Sequence, residues 1–264
     1  MELIAHRGAS FDAPENTLAA FRLGFAQGAD ACELDVHQTR DGAIAVMHDF
    51  TTHRMASVDK AISEQTLAEL KLLDAGSWKD PKWAGEKIPS LEEVLAILPE
   101  NKRLFIEIKC GVEILRELER VLKSSGKKPE QIALIGFGYE TMKRTKTWLP
   151  QFPVYWLNAF KPQHQTDPNR RITDELIEKS VAANFDGLNL LFNGPLDAEF
   201  MRKARAANQK VFVWTVDDPN AARRMIELSV DGMSTNRPGW LREQLERGCV
   251  EDQPQRAEKE SAVK

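Results

Sequence analysis

Eight times along this chain a short apolar run is followed by a helical pattern. The runs are Leu3–Ala5, Ala31–Val36, Arg103–Ile108, Ile132–Phe137, Val154–Leu157, Gly187–Leu191, Val211–Val216 and Gly232–Ser234. Between them the spacing predicts helices over Asn16–Gln27, Leu91–Leu98, Val112–Ser124, Thr141–Leu149, Thr173–Asn184, Asp197–Asn208, Pro219–Leu228 and Gly239–Glu246. Strand then helix, repeated this way, requires a parallel sheet with helical crossovers. Eight such units in 264 residues fit a closed (β/α)8 TIM barrel, an α/β fold. An open doubly wound sheet is the alternative, and it would normally carry a glycine-rich first turn. The first turn here reads His6-Arg7-Gly8-Ala9-Ser10, with no G-x-G-x-x-G, which favours the barrel.

Two stretches break the rhythm. Between the second strand and the second helix lie residues 49–89, which include a small helical pattern over Ser63–Leu73. A connection that long is a functional insertion rather than a simple loop. From Cys249 to Lys264 the chain is polar and poor in apolar residues, and is expected to be disordered. A single domain over residues 1–248 follows. Several helix ends are signalled too: Asp218-Pro219 puts proline at a first helical position, and Gly28 and Gly126 stand where helices should stop.

Thirty-six basic and 40 acidic residues give a net charge of -4, which argues against a general electrostatic grip on nucleic acid or anionic lipid. Cys32, Cys110 and Cys249 are odd in number, lie far apart and lack zinc-type spacing, so they read as packing residues of a reduced compartment. No apolar run approaches the ~20 residues of a membrane span, and Met1-Glu2 opens directly on a strand-like segment with no secretory pattern. A soluble cytoplasmic protein acting on a small molecule is expected.

The chemistry concentrates at strand ends. Residues i and i+2 of a strand share a face, ~6.6 Å apart. In Cys32-Glu33-Leu34-Asp35-Val36 the two carboxylates therefore share one face, and the apolar residues share the other. If the apolar face meets the surrounding helices, Glu33 and Asp35 point into the barrel mouth. Two acids in a confined space repel unless a cation lies between them, and hard divalent ions take such oxygen ligands. Phe105-Ile106-Glu107-Ile108-Lys109 repeats the pattern, making Glu107 a third candidate metal ligand and Lys109 a candidate anion contact. His6 and Arg7 emerge at the carboxyl end of the first strand, where barrel sites are built. Thr39-Arg40-Asp41-Gly42 signals a hairpin, and a turn centred between Arg40 and Asp41 would set His48 opposite Glu33. His37, His53 and His164 read as structural residues. Trp214 serves equally as core or as a substrate wall at the mouth.

The residues Ala5-His6-Arg7-Gly8-Ala9-Ser10, Ala13-Pro14-Glu15-Asn16-Thr17, Glu33-Leu34-Asp35-Val36, Met47-His48-Asp49, Asp74-Ala75-Gly76-Ser77-Trp78, Ile106-Glu107-Ile108-Lys109, Trp214-Thr215-Val216 and Thr235-Asn236-Arg237-Pro238 form an ordered series. In that order the chain resembles the glycerophosphodiester phosphodiesterases, from residue 3 to about 240. The resemblance implies a (β/α)8 barrel whose insertion follows His48. It implies hydrolysis of glycerophosphodiesters to sn-glycerol 3-phosphate and an alcohol. It implies one divalent cation, Ca2+ or Mg2+ with Mn2+ as a further option, at Glu33, Asp35 and Glu107. His6 and His48 match the acid–base pair, and Arg7 and Lys109 the phosphate contacts. The segment Phe50–Ser57 departs from the family pattern by lacking its glycines, which opens the question of the substrate's alcohol. Phe11 stands where a small or polar residue is common, and is expected to add an apolar lip to the pocket. Lysophospholipase D or lyase-type cleavage on the same scaffold is the alternative, and a non-catalytic barrel binding a phosphorylated ligand is a remote one.

Overall fold

The computed structural model describes residues 1–56, 59–161 and 165–251. Among these, eight parallel strands form a ring: β1 (Glu2–His6), β2 (Ala31–Gln38), β4 (Arg103–Ile108), β5 (Ile132–Gly136), β6 (Val154–Asn158), β7 (Gly187–Leu191), β8 (Lys210–Trp214) and β9 (Gly232–Thr235). β1 pairs with both β2 and β9, which closes the barrel. The short β3 (Ile44–Val46) runs antiparallel to the extended end of β2.

Crossover helices cover the outside: α1 (Leu18–Ala26), α4 (Leu91–Ile97), α5 (Leu115–Ser124), α6 (Tyr139–Trp148), α7 (Ile172–Ala182), α8 (Ala198–Ala206), α9 (Pro219–Glu227) and α10 (Pro238–Glu251). The predicted helix stops hold, with Gly28 and Gly126 at φ of 85° and 68°. Asp218 caps α9 by accepting from the Ala221 N–H, with Pro219 in its first turn. α10 runs to Glu251, so the polar segment expected from Cys249 begins as helix, and residues 252–264 lie outside the described ones.

The pleat of each strand sorts its side chains into two cores. Outward residues such as Cys32, Leu34, Val36, Leu188 and Leu190 pack under the helices. Inward residues Ile4, Ala31, Phe105, Ala133, Ile135, Tyr155, Leu157 and Phe212 fill the barrel, and Trp214 packs on top of them. This inner plug blocks the barrel, so a ligand has only the mouth at the strands' carboxyl ends.

The insertion has its own small core of Ala45, Met47, Met55, Ile62, Leu70, Ala75 and Ile88. It carries α2 (His53–Ala56) and α3 (Leu67–Leu72), the latter started by a capping box between Thr66 and Glu69. The hairpin register differs by one residue from the sequence expectation. Val36 pairs with Val46, His37 with Ala45 and Gln38 with Ile44, so the turn is centred on Asp41. Gly42 at φ 82° donates its N–H to the Thr39 carbonyl, and Thr39 donates to Ala43, which makes a longer loop than a two-residue turn. The last rung is Met47 N–H to the Asp35 carbonyl, and the chain leaves the sheet before His48 could lie opposite Glu33.

Candidate active site

Parallel register assembles the site. His6 pairs across to Glu33 on β2, and Asp35 pairs across to Glu107 on β4. Three inward carboxylates thereby meet, each offering an oxygen within 4.8 Å of the others, all buried. Burial, then the charges of Asp35 and Glu107, push Glu33 well above the usual carboxylate range. Glu107 is pushed up to about 7 by burial and by Asp35. Burial acts against Asp35 as well, yet Arg7, Lys109 and His48 hold it below the ordinary value.

Arg7 is the hub of this cluster. With φ 56° it sits in the left-handed region, which turns the chain back sharply after β1. Its N–H donates to Glu33 Oε2 at 3.0 Å, its Nε lies 3.2 Å from Asp35 Oδ2, and Nη1 donates to Glu15 at 3.0 Å. Gly8 follows at φ 78°, where a Cβ would come within 2.5 Å of the Ala20 backbone, so only glycine fits. Asn16 grips Asp35 from behind: its Nδ2 donates to Oδ2 at 2.9 Å. Lys109 lies 2.9 Å from Glu107 and 3.5 Å from Asp35. Three carboxylates against these two cations leave one net negative charge if all are ionised.

The two histidines hold different partners. His6 Nδ1 is 2.8 Å from Asn236 Oδ1, an acceptor, so Nδ1 is the protonated nitrogen. Asn236 is itself fixed, with Nδ2 and its N–H donating to the Asp217 carboxylate at 2.6 and 2.8 Å. Burial, then Arg7, lowers His6 to about 4. His48 instead donates Nδ1–H to the Asp49 carboxylate at 2.7 Å. Asp49 is held by Arg54 Nε at 2.6 Å, and Arg54 reaches on to Glu15, which also binds Arg7. Against its own burial, these hydrogen bonds from Arg54 and His48 keep Asp49 down at about 2. His37 is buried, with Nε2 3.2 Å from the His48 carbonyl and its ring edge-on to Phe50. It therefore supports the backbone that presents His48. His53 is exposed at the start of α2, and His164 lies outside the described residues.

Between these groups lies a cavity of about 160 Å³. His6, Arg7, Glu33, His48, Glu107 and Lys109 line its charged side. Ile135, Phe137, Leu157, Asn189 and Trp214, from β5 to β8, line the other, with Ser234 from β9. Trp214 is thus mouth wall as well as core: it packs edge-on to Phe137 at 5.6 Å and caps the barrel plug. Two candidates do not line the cavity: Asp35, fully buried behind Glu33 and Glu107 in the carboxylate cluster, and Phe11. Phe11 stands outside, 52% exposed, with the Arg237 guanidinium 4.1 Å over its ring. Cation stacking holds it at the rim.

Sequence reasoning assigned no role to Glu15, Asn16, Asn189, Asp217 or Asn236. Asn189 had a readable signal, a polar residue alternating with leucines in an apolar strand. The others act through loop geometry that no spacing rule describes.

A model of the glycerophosphoryl diester phosphodiesterase family matches residues 6–240. A glycerophosphodiester phosphodiesterase of Caldanaerobacter subterraneus subsp. tengcongensis is 32% identical over 90% of this chain and 95% of its own length. One from Bacillus subtilis is 30% identical over 89% of this chain and 83% of its own. Among solved structures, an Oleispira antarctica phosphodiesterase in complex with the product sn-glycerol-3-phosphate superposes with a TM-score of 0.82, at 27% identity over 93% of this chain and 97% of that one. A match spanning nearly the whole barrel, joined to relatives of this similarity, makes the chain an enzyme that cleaves glycerophosphodiesters and a member of the glycerophosphoryl diester phosphodiesterase family.

Proposed function

We propose that the enzyme hydrolyses glycerophosphodiesters to sn-glycerol 3-phosphate and an alcohol in a reaction that depends on a divalent cation and two histidines. The observation that carries this reading is the convergence of two differently partnered imidazoles on one buried carboxylate cluster. The carboxylates fit a cation. Asp35 Oδ1 is buried without a hydrogen-bond partner, and burial, then the neighbouring carboxylate charge, raises Glu33 and Glu107. Glu33, Asp35 and Glu107 would hold the ion, and an all-oxygen donor set suits Ca2+ or Mg2+, with Mn2+ also compatible. Bound there, it would supply Lewis-acid stabilisation to a phosphoryl oxygen.

The protein's own groups do the rest. Arg7 offers a planar fork to two phosphate oxygens, and Lys109 adds a compact positive charge beside it. His6, with Nδ1–H committed to the neutral Asn236 carbonyl, keeps Nε2 bare to take the proton of the attacking oxygen. His48, its Nδ1–H committed to the Asp49 carboxylate, is oriented to deliver a proton from its other nitrogen to the leaving alkoxide. The attacking oxygen belongs to water in this reading. Attack by a neighbouring substrate hydroxyl would instead give a cyclic phosphate.

The lysophospholipase D alternative has one feature in its favour. A cleft of about 270 Å³ lined by Phe50, Ile108, Cys110 and Phe137 shares Glu107 and Lys109 with the site, and could take an apolar substituent. The cytoplasmic placement belongs to the same proposal, and the free thiols of Cys32 and Cys110 suit a reducing compartment.

The test compares glycerophosphocholine with glycerophospho-p-nitrophenol in protein treated with EDTA and then loaded with Ca2+, Mg2+ or Mn2+. Metal-dependent release of glycerol 3-phosphate is expected. His6→Ala should lose at least ~100-fold on both substrates. His48→Ala should lose as much on the choline ester but far less on the nitrophenyl ester, whose leaving group needs no proton. Equal losses for His48→Ala would overturn the assignment, and metal-independent turnover would overturn the cation's role.

A further inference from the structure

The half of the cavity facing the charged cluster is apolar apart from two buried polar residues, Ser234 and Asn189, and Asn189 alone of the two has a side-chain oxygen buried without a partner. Asn189 lies in β7 between Leu188 and Leu190, both of which point outward under the helices, so the pleat turns the amide inward. It is 2% exposed, and its Oδ1 is buried without any hydrogen-bond partner. A buried amide oxygen left unpaired costs free energy that a leucine of similar size would not incur. The surrounding wall is rigid: Trp214 Nε1 donates to the Asn189 carbonyl at 3.3 Å and braces against Phe137. The carboxamide is therefore held at the cavity wall by groups that leave its Oδ1 without a partner.

We infer that Asn189 reads a hydroxyl on the organic half of the diester, and so selects polyol phosphodiesters over simple alkyl ones. The inference rests on the phosphodiesterase reading above and adds the substrate feature that this wall recognises. Phosphate held by groups on β1, β2 and β4 directs the carbons attached to it toward β6–β8, where Leu157, Asn189 and Trp214 stand. Leu157 and Trp214 cover C–H surface. Asn189 is left for oxygen, because a carboxamide can donate to or accept from a hydroxyl by turning about its terminal bond.

The test uses metal-loaded enzyme and two diesters: sn-glycero-3-phosphocholine and propyl phosphocholine, which lacks both free hydroxyls. Wild type should favour the glycerol ester by about 10- to 100-fold in kcat/KM, because a site built to pair with a hydroxyl penalises its loss. Asn189→Leu should bring the two substrates within about threefold, by losing rate on the glycerol ester and keeping it on the propyl ester. Equal rates for wild type on the two would overturn the inference, and this arm needs no variant to fold. An equal loss on both substrates in Asn189→Leu would also overturn it, as the mark of a structural role. If wild type cleaves neither ester with any cation, the phosphodiesterase reading itself fails and takes the inference with it.

Discussion

His6 and Asn236 are 230 residues apart in sequence and 2.8 Å apart in the fold, and their hydrogen bond decides which imidazole nitrogen faces the cavity. Asn236 cannot turn over, because Asp217 takes both its Nδ2 and its backbone N–H. The amide oxygen is thus always the end that His6 meets. An orienting group behind a histidine base matters because the wrong tautomer presents a proton where a lone pair is needed.

Asn236→Leu removes that control while keeping the volume. It should lower kcat by about 10- to 100-fold with little change in KM, because the binding groups Arg7 and Lys109 are untouched. Asp217→Asn should fall in the same direction by a smaller factor. Steady-state kinetics on glycerophosphocholine separate the two parameters, and a rise in KM alone would remove Asn236 from the positioning role.

Replacing Glu33 tests the carboxylate cluster with two readouts of opposite sign. Its buried, crowded carboxylate is held well above the ordinary range, so Glu33→Gln relieves repulsion in metal-free protein. Thermal melting in EDTA should show the variant at least as stable as wild type. Adding Ca2+ or Mg2+ should raise the wild-type Tm through binding to the folded state and leave the variant's unchanged. A cation-dependent rise of equal size in both would exclude Glu33 as a ligand.

Much of this arrangement was legible in the sequence, and the reasons are physical. Strand periodicity alone puts Glu33 and Asp35 on one face, and the outward packing of Cys32, Leu34 and Val36 bears that reading out. The alternation of runs and helices was sufficient for the barrel, because each unit repeats one local rule. The hairpin register failed because the loop from Thr39 to Ala43 is set by Gly42 and by side-chain bonds such as Thr39 Oγ1 to Asp41, not by strand pattern. His48 still reaches the cavity, since the chain leaves the ladder at Met47 and the His37 contact to its carbonyl steadies it there. Phe11 stands at the rim outside the cavity lining, and its seat there depends on Arg237, a partner over 200 residues away in sequence. Contacts of that range have no local signature.

Arg54 joins the insertion to the site. It donates to Asp49 and to Glu15, so one side chain braces both the His48 partner and the Arg7 partner. Arg54→Gln should therefore lower kcat on glycerophosphocholine by about tenfold, the worth of one or two hydrogen bonds to a charged group. On the p-nitrophenyl ester the loss should be much smaller, because the route runs through proton delivery by His48. A uniform loss on both esters would instead place the effect in Arg7 and phosphate binding.

The floor of the barrel predicts an alkaline limit to stability. Tyr155 is 1% exposed, between the rings of Phe105 and Phe212 at 6.1 and 4.6 Å. Burial pushes its hydroxyl up to about 12, against the opposing charge of Arg103. An acid with a raised folded-state pKa keeps its proton longer when folded. The stabilisation is complete below the ordinary value near 10 and is lost as pH rises from there through about 12, to a total of ~3 kcal/mol. Thermal melts should thus hold Tm with respect to this group up to pH 10 and show a decline above it, which Tyr155→Phe reduces. Absorbance at the phenolate band, read as the difference between wild type and Tyr155→Phe, should show that Tyr155 keeps its proton well above pH 10 in folded protein. Ionisation of Tyr155 near pH 10 in folded protein would mean that the barrel floor admits water and is not the closed plug of Phe105, Tyr155 and Phe212.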